Sequence, residues 1–343
     1  MPYRVGFIGT GEIARIHAAV LAEKPETWRI ISGFDVIKQV GSVFCADFGA
    51  EICSSEEEIL TMPKVDVLYI CTRHDSHVRL ASAACHAGKS VFLEKPLAMD
   101  TAGAYELMKA HERNMVPLVV GYNMRVAPAT ERFRCLLEEN EVQTESFRMN
   151  MTGAPYMNNW AANPIEGGGT LVSQAPHMFD MIAYLLGSRV TEVNVSTRWL
   201  SHPEELMPNS AAMLLKLENG VEGTLLLHDR GSYHFHVQPG GKMINLTVYS
   251  PQGTFELDAY SGVRYVQNGK LVEEVPDAPY EIAERWGYRT QAACFAEFLT
   301  TGKGPLCSLV EAAGVVAVVD AAIRSDKSRS WDVVDYSFLG GCS

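Results

Sequence analysis

Glu94 and Lys95 stand side by side at the end of an apolar run, Ser90 to Leu93, and Pro96 follows at once. Apolar residues drive such a run into a sheet, and proline, lacking an N–H for the ladder, stops it. The acid and the base are thereby held at the carboxyl end of a strand, where open α/β sheets bind their ligands. A lysine there can stay close to bound substrate and stabilise negative charge developing on its oxygen. The stretch alone is equally a strand end carrying two solvated charges. A second group of reactive types lies at Ser173, His177 and Asp180. Spacings of four and three let one helical face present all three, and the imidazole is a candidate general base. Pro176 suits a first helical turn, which places Ser173 at or just before the helix start. A lone histidine is also compatible with a satisfied structural role, so the elements around these residues must decide.

The strongest of those elements comes first in the chain. Tyr3 to Ile8 is a short apolar run that enters Gly9-Thr10-Gly11-Glu12-Ile13-Ala14, and a helical pattern follows through Leu21. Strand, G-x-G-x-x-A and helix is the dinucleotide fingerprint in its required context. Gly9 makes the tight turn, Gly11 lets a pyrophosphate approach the backbone, and Ala14 allows close packing of helix on strand. The helix N-terminus, from Thr10 through Ile13, offers N–H groups and partial positive charge to phosphates. A second strand, Arg29 to Phe34, ends at Asp35, about 20 residues on, where the acid for the ribose hydroxyls belongs. A carboxylate there repels a 2′-phosphate, so NAD is expected and NADP is disfavoured. Asp35 is alternatively a turn residue ahead of the next helix. A strand at Val65–Cys71 leads into Thr72-Arg73-His74-Asp75-Ser76-His77, and a helix from Val78 to Ala87 closes on Gly88. Alternating strands and helices of this kind predict a doubly wound parallel sheet.

The 343 residues carry 29 Lys and Arg against 41 Asp and Glu, a formal charge of −12 that argues against nucleic-acid or anionic-membrane partners. No apolar run approaches the length of about 18 residues needed to span a bilayer. The chain enters a strand pattern without a basic segment and apolar core before it, so no signal peptide is expected. Eight scattered cysteines without a C-x-x-C pair suggest neither zinc framework nor disulfide scaffold, and point to a reducing cytoplasm.

The fingerprint, Asp35, the Thr72–His77 loop and above all Glu94-Lys95-Pro96 resemble the Gfo/Idh/MocA family, NAD(P)-dependent oxidoreductases acting on sugars, inositols and their derivatives. The resemblance implies that Glu94 contacts cofactor ribose and that Lys95 reaches the substrate hydroxyl. Thr72 and His77 match a loop that the family usually writes Thr-Pro-Asn followed by histidine, and they fall to the cofactor side, whereas Arg73 and His74 depart from it. Gly121 to Pro128 resembles the segment leading into the second domain, giving Asn123 to the cofactor and Arg125 to the substrate. Domains at 1–122, binding NAD(P), and 123–343, binding substrate and mediating assembly, follow. Gly167-Gly168-Gly169 through Asp180 resembles the family signature in which His177 is catalytic. The family has aspartate at the Ser173 position, with asparagine in some branches; a serine hydroxyl can orient an imidazole but cannot raise its basicity as a carboxylate would.

A loop between a strand at Gln143–Met151 and the glycine run carries Tyr156, Asn158, Asn159, Trp160 and Asn163. Aromatic faces and amides suit a carbohydrate, though a solvated loop would read the same. Beyond it, Glu192–Trp199, Ala211–Leu217, Val221–His228, Met243–Val248 and Gly253–Leu257 read as strands, with a hairpin at Asn219-Gly220. They predict an α+β domain with a large, mainly antiparallel open sheet, whose outer face a homodimer or homotetramer would cover. His234 and His236 share a strand face without a third ligand nearby, so no metal is expected. Helices are predicted at Ala283–Leu299 and Leu309–Ser325. The expected reaction is hydride transfer between a secondary hydroxyl of a sugar or cyclitol and NAD. The alternatives carried by the same fold are an NAD-dependent glycosidase using transient oxidation and a non-catalytic NAD-binding sensor.

Overall fold

The computed structural model describes residues 1–153, 160–199, 207–228, 243–267, 269–275 and 281–341. They form two compact units, one of 1–122 with 288–313 and 338–343, the other of 123–287 with 314–337.

The first unit runs β1 (Tyr3–Ile8), α1 (Glu12–Ala22), β2 (Trp28–Phe34), α2 (Lys38–Phe48), β3 (Glu51–Ile52), α3 (Glu56–Thr61), β4 (Val67–Ile70), α4 (His77–His86), β5 (Ser90–Leu93), α5 (Thr101–Asn114) and β6 (Leu118–Val120). Its six strands are all parallel, in the order β3-β2-β1-β4-β5-β6. β4 is buried throughout and β5 nearly so, which is why they read as continuous apolar runs rather than alternating ones. The strand order reverses between β1 and β4, a switch point that opens a crevice at the carboxyl edge. Phe44, Phe7, Tyr69 and Phe92 pack in succession through the core beneath it, with neighbouring ring centroids 4.5–5.2 Å apart.

The second unit holds α6 (Pro128–Glu139), β7 (Ser146–Thr152), α7 (Gly169–Ser173), α8 (Ala175–Leu186), β8 (Val190–Arg198), β9 (Ser210–Leu217), β10 (Glu222–His228), β11 (Met243–Ser250), β12 (Gly253–Asp258), β13 (Gly262–Gln267), β14 (Lys270–Glu274) and α9 (Ile282–Arg285). α10 (Tyr288–Thr301), α11 (Leu309–Ser328) and β15 (Asp332–Val333) complete the described chain. The sheet order is β14-β13-β12-β11-β7-β10-β9-β8-β15. All its pairings are antiparallel except β7 with β10, so the sheet is the mainly antiparallel one expected, with a single parallel seam. The Asn219-Gly220 hairpin joins β9 to β10, with Gly220 at φ 85°. The helix expected over Ala283–Leu299 is two helices. Gly287 breaks it at φ 80°, where an added Cβ would sit 2.7 Å from the Asn123 carbonyl oxygen.

Candidate active site

The carboxyl edge of the parallel sheet gathers the fingerprint residues. Gly9, ending β1, has φ 79°, and a Cβ there would lie 2.6 Å from the Cys71 carbonyl oxygen at the end of β4, so both conformation and space require glycine. Thr10 is fully buried and donates to one oxygen of Asp35 twice, from its N–H at 2.8 Å and from its hydroxyl at 3.0 Å. The other Asp35 oxygen accepts the Ile37 N–H at 2.8 Å. Asp35 is therefore a turn residue and also the anchor of the fingerprint loop, with three of a carboxylate's roughly four acceptor sites engaged. One remains for an outside donor.

Gly11 differs from Gly9. It caps α1 with φ −69°, a value any residue adopts, and an added Cβ would meet nothing within 4 Å. No side chain caps the helix at this position, so the first-turn N–H groups of Glu12 and Ile13 have no capping side chain. Neither backbone nor packing explains a glycine here. A pyrophosphate lying against the helix N-terminus does, and these residues fit a dinucleotide.

At the end of β5 the buried Glu94 carboxylate is fixed on both sides. One oxygen lies 2.7 Å from Nε2 of His17, and the other accepts the Lys95 N–H at 3.2 Å. Lys95 is half-buried, and its peptide bond to Pro96 is cis. His77, expected on the cofactor side, is fully buried and turned inward. Its Nδ1 is 2.7 Å from the Pro96 carbonyl oxygen and its Nε2 is 3.2 Å from that of Thr72. Burial pushes its pKa down, favouring the neutral ring, and a neutral imidazole donates once, so the shorter contact to Pro96 carries the bond. His77 thus ties the Thr72 loop to the strand end bearing Lys95. Thr72 accepts the Ser76 hydroxyl at 2.6 Å. His17 was not singled out from the sequence, although a signal was present: the buried residues of α1 are Ala14, His17, Ala18, Val20 and Leu21, four apolar residues and one imidazole.

In the second unit the glycine run has a packing cause. A Cβ on Gly167 would come 2.3 Å from Cα of Ala161, and Gly168 and Gly169 have φ 73° and 70°. Asn163 holds this loop, its side-chain oxygen accepting the Ile165 N–H at 2.9 Å. Trp160 begins a short 3-10 helix and is half-buried. Tyr156, Asn158 and Asn159 lie outside the described residues, as do His234 and His236. Ser173 ends α7 and is buried, Gln174 breaks the helical path, and half-buried His177 lies in the first turn of α8, with Pro176 beside it. Asn123 donates its amide to the Trp286 carbonyl at 2.8 Å. Arg125, expected to meet substrate, lays its guanidinium across Asp180, with Nε at 3.0 and 2.9 Å from the two carboxylate oxygens and Nη2 at 2.7 Å from the first. Both side chains are at most 4% exposed, which makes the pair an anchor for α8. Among the described residues no cluster of His, Cys, Asp or Glu is suited to a metal ion.

A six-stranded parallel sheet with this fingerprint, joined to a large mixed sheet, defines a two-part NAD-binding oxidoreductase. The chain belongs to the Gfo/Idh/MocA oxidoreductase family: residues 3–122 match its NAD-binding Rossmann fold and residues 140–334 its C-terminal alpha/beta domain. It is 27% identical over 220 residues to the uncharacterized oxidoreductase YrbE of Bacillus subtilis, covering 63% of this chain and 64% of that protein. It is 23% identical over 336 residues to scyllo-inositol 2-dehydrogenase (NAD(+)) of Bacillus subtilis, covering 94% of this chain and 93% of that protein. Its fold is also that of GenD2 from gentamicin A biosynthesis, solved in complex with NAD, at a TM-score of 0.85 and 23% identity over 97% of each chain.

Proposed function

We propose that the protein is a dehydrogenase of a sugar, cyclitol or related polyol, with Lys95 and His177 acting on the hydroxyl that is oxidised. The observation that carries this reading is the Glu94-Lys95-Pro96 strand end at the carboxyl edge of a sheet whose Gly11 leaves the α1 N-terminus open. NAD, when bound, supplies the hydride acceptor. Gly9, Gly11 and the first turn of α1 hold its phosphates, Asp35 its adenosine ribose and Glu94 its second ribose. His177 takes the hydroxyl proton, and the Lys95 ammonium hydrogen-bonds the same oxygen, favouring the alkoxide-like transition state over the neutral alcohol. A panel of sugars and inositols scored for NADH formation at 340 nm tests the reading; an enzyme that binds NAD yet reduces none with any polyol would sink it.

Asp35 makes NAD the expected substrate over NADP by at least about tenfold, or ~1.4 kcal/mol. Asp35→Ala is expected to weaken NAD without creating tight NADP binding, because Thr10 loses the acceptor of both its bonds. Calorimetric titration of both nucleotides into both proteins checks this; an alanine variant with NADP affinity matching wild-type NAD would contradict it.

The outer face of the nine-stranded sheet exposes Leu214, Leu226 and Tyr249, at 47%, 38% and 37%. Covering it calls for a second copy, and a homodimer or homotetramer is expected. Light scattering at micromolar concentration should exceed the 37.7 kDa of one chain.

A further inference from the structure

We infer that His17 is a positioning residue for the cofactor, holding Glu94 in the one orientation that serves the ribose. The inference rests on the reading of Glu94 as a ribose acid. His17 projects from the buried stripe of α1, the helix whose N-terminus faces the phosphates, and its Nε2 lies 2.7 Å from Glu94 at the end of β5. The two side chains are 4% and 9% exposed. The imidazole is walled by rings of Phe92, Tyr288 and Tyr69 at centroid distances of 4.9, 5.3 and 5.5 Å, which restrict its rotation. Gly121 keeps the far side clear, since a Cβ there would come within 3.0 Å of the same Glu94 oxygen.

A glutamate has three rotatable bonds, and freezing them during binding lowers affinity. His17 freezes them beforehand. The contact also joins α1 to β5, so the phosphate loop and the strand end bearing Lys95 are held by one hydrogen bond. No apolar residue could do this, because a buried carboxylate oxygen stripped of its partner carries a full desolvation penalty.

Two amide substitutions separate geometry from polarity. The glutamine amide nitrogen reaches the Nε2 position of the imidazole, whereas the asparagine nitrogen reaches only the Nδ1 position. NAD affinity of the full-length protein, read by titration calorimetry, should fall by about tenfold in His17→Asn and stay within about threefold in His17→Gln. Glu94→Gln should itself weaken NAD, and adding His17→Asn to it should cost less than a further factor of about two, since the partner is already altered. Equal losses in the two His17 variants, fully multiplicative losses in the double variant, or unchanged affinity in Glu94→Gln would each overturn the assignment. NADH formation by the wild-type enzyme across the polyol panel is read separately, so failure of the dehydrogenase reading would not be mistaken for failure of this one.

Discussion

Lys95→Ala and His177→Ala are each expected to lower kcat by about 10²–10⁴ while leaving NAD affinity within a few-fold of wild type. The two halves of this expectation have different sources. The loss in kcat follows from removing a proton acceptor or an ammonium that acts on the oxygen only as charge develops there. The intact binding follows from where the proposal puts the phosphate contacts: Gly9, Gly11 and the α1 N-terminus would act through their backbone, which neither substitution touches. Ser173→Ala should cost much less, about tenfold, since a hydroxyl orients an imidazole without contributing charge. Gln174 stands between α7 and α8 and puts Ser173 and His177 on separate helices. Steady-state kinetics with the best polyol, alongside calorimetry with NAD, checks all three variants. Undiminished turnover in His177→Ala would remove the mechanism, and equal losses for Ser173 and His177 would promote the serine to a full catalytic partner.

What the sequence revealed of this arrangement was whatever is encoded locally. The fingerprint, Asp35 and the Glu94-Lys95-Pro96 strand end are contiguous motifs, and each lies at the carboxyl edge of the parallel sheet. The hairpin at Asn219-Gly220 is likewise a short-range signal. Partnerships across sequence distance were not legible. His17 and Glu94 are 77 residues apart, and Arg125 and Asp180 are 55 apart. Nothing in periodicity says that a histidine in an apolar stripe will find a carboxylate on a strand. The inward turn of His77 has the same origin, since the Pro96 carbonyl that captures it is 19 residues away. The parallel seam between β7 and β10 was also hidden, because strand pattern encodes which face is buried and not which neighbour pairs. The break in the helix near residue 287 was written as a single glycine, whose meaning depends on the Asn123 and Ala127 backbone packed against it.

Breaking the Arg125–Asp180 pair is expected to destabilise the second unit strongly. Both side chains are at most 4% exposed, and three donor–acceptor contacts of 2.7–3.0 Å join them. The guanidinium also lies 4.9 Å over the ring of Tyr184, one turn further along α8. Tyr184 in turn donates to Glu131 at 3.1 Å, and burial together with that carboxylate pushes its pKa up to about 12. Arg125→Met would leave the Asp180 carboxylate in apolar surroundings with its main donors gone, at a cost of about 3–5 kcal/mol. The pair itself contributes far less than that, because forming it required stripping water from two charges. Arg125→Met with Asp180→Leu should therefore recover most of the single variant's loss, since it leaves no orphaned charge. The consequence for function runs through α8: Asp180 is three residues beyond His177, so the single variant should lower kcat through a loosened helix while NAD affinity, which the proposal assigns chiefly to Gly9, Gly11, Asp35 and Glu94, stays within a few-fold of wild type. Urea denaturation of the three proteins measures the cycle. A single variant costing under about 1 kcal/mol, or a double variant worse than the single, would show that the ion pair is not what holds this helix.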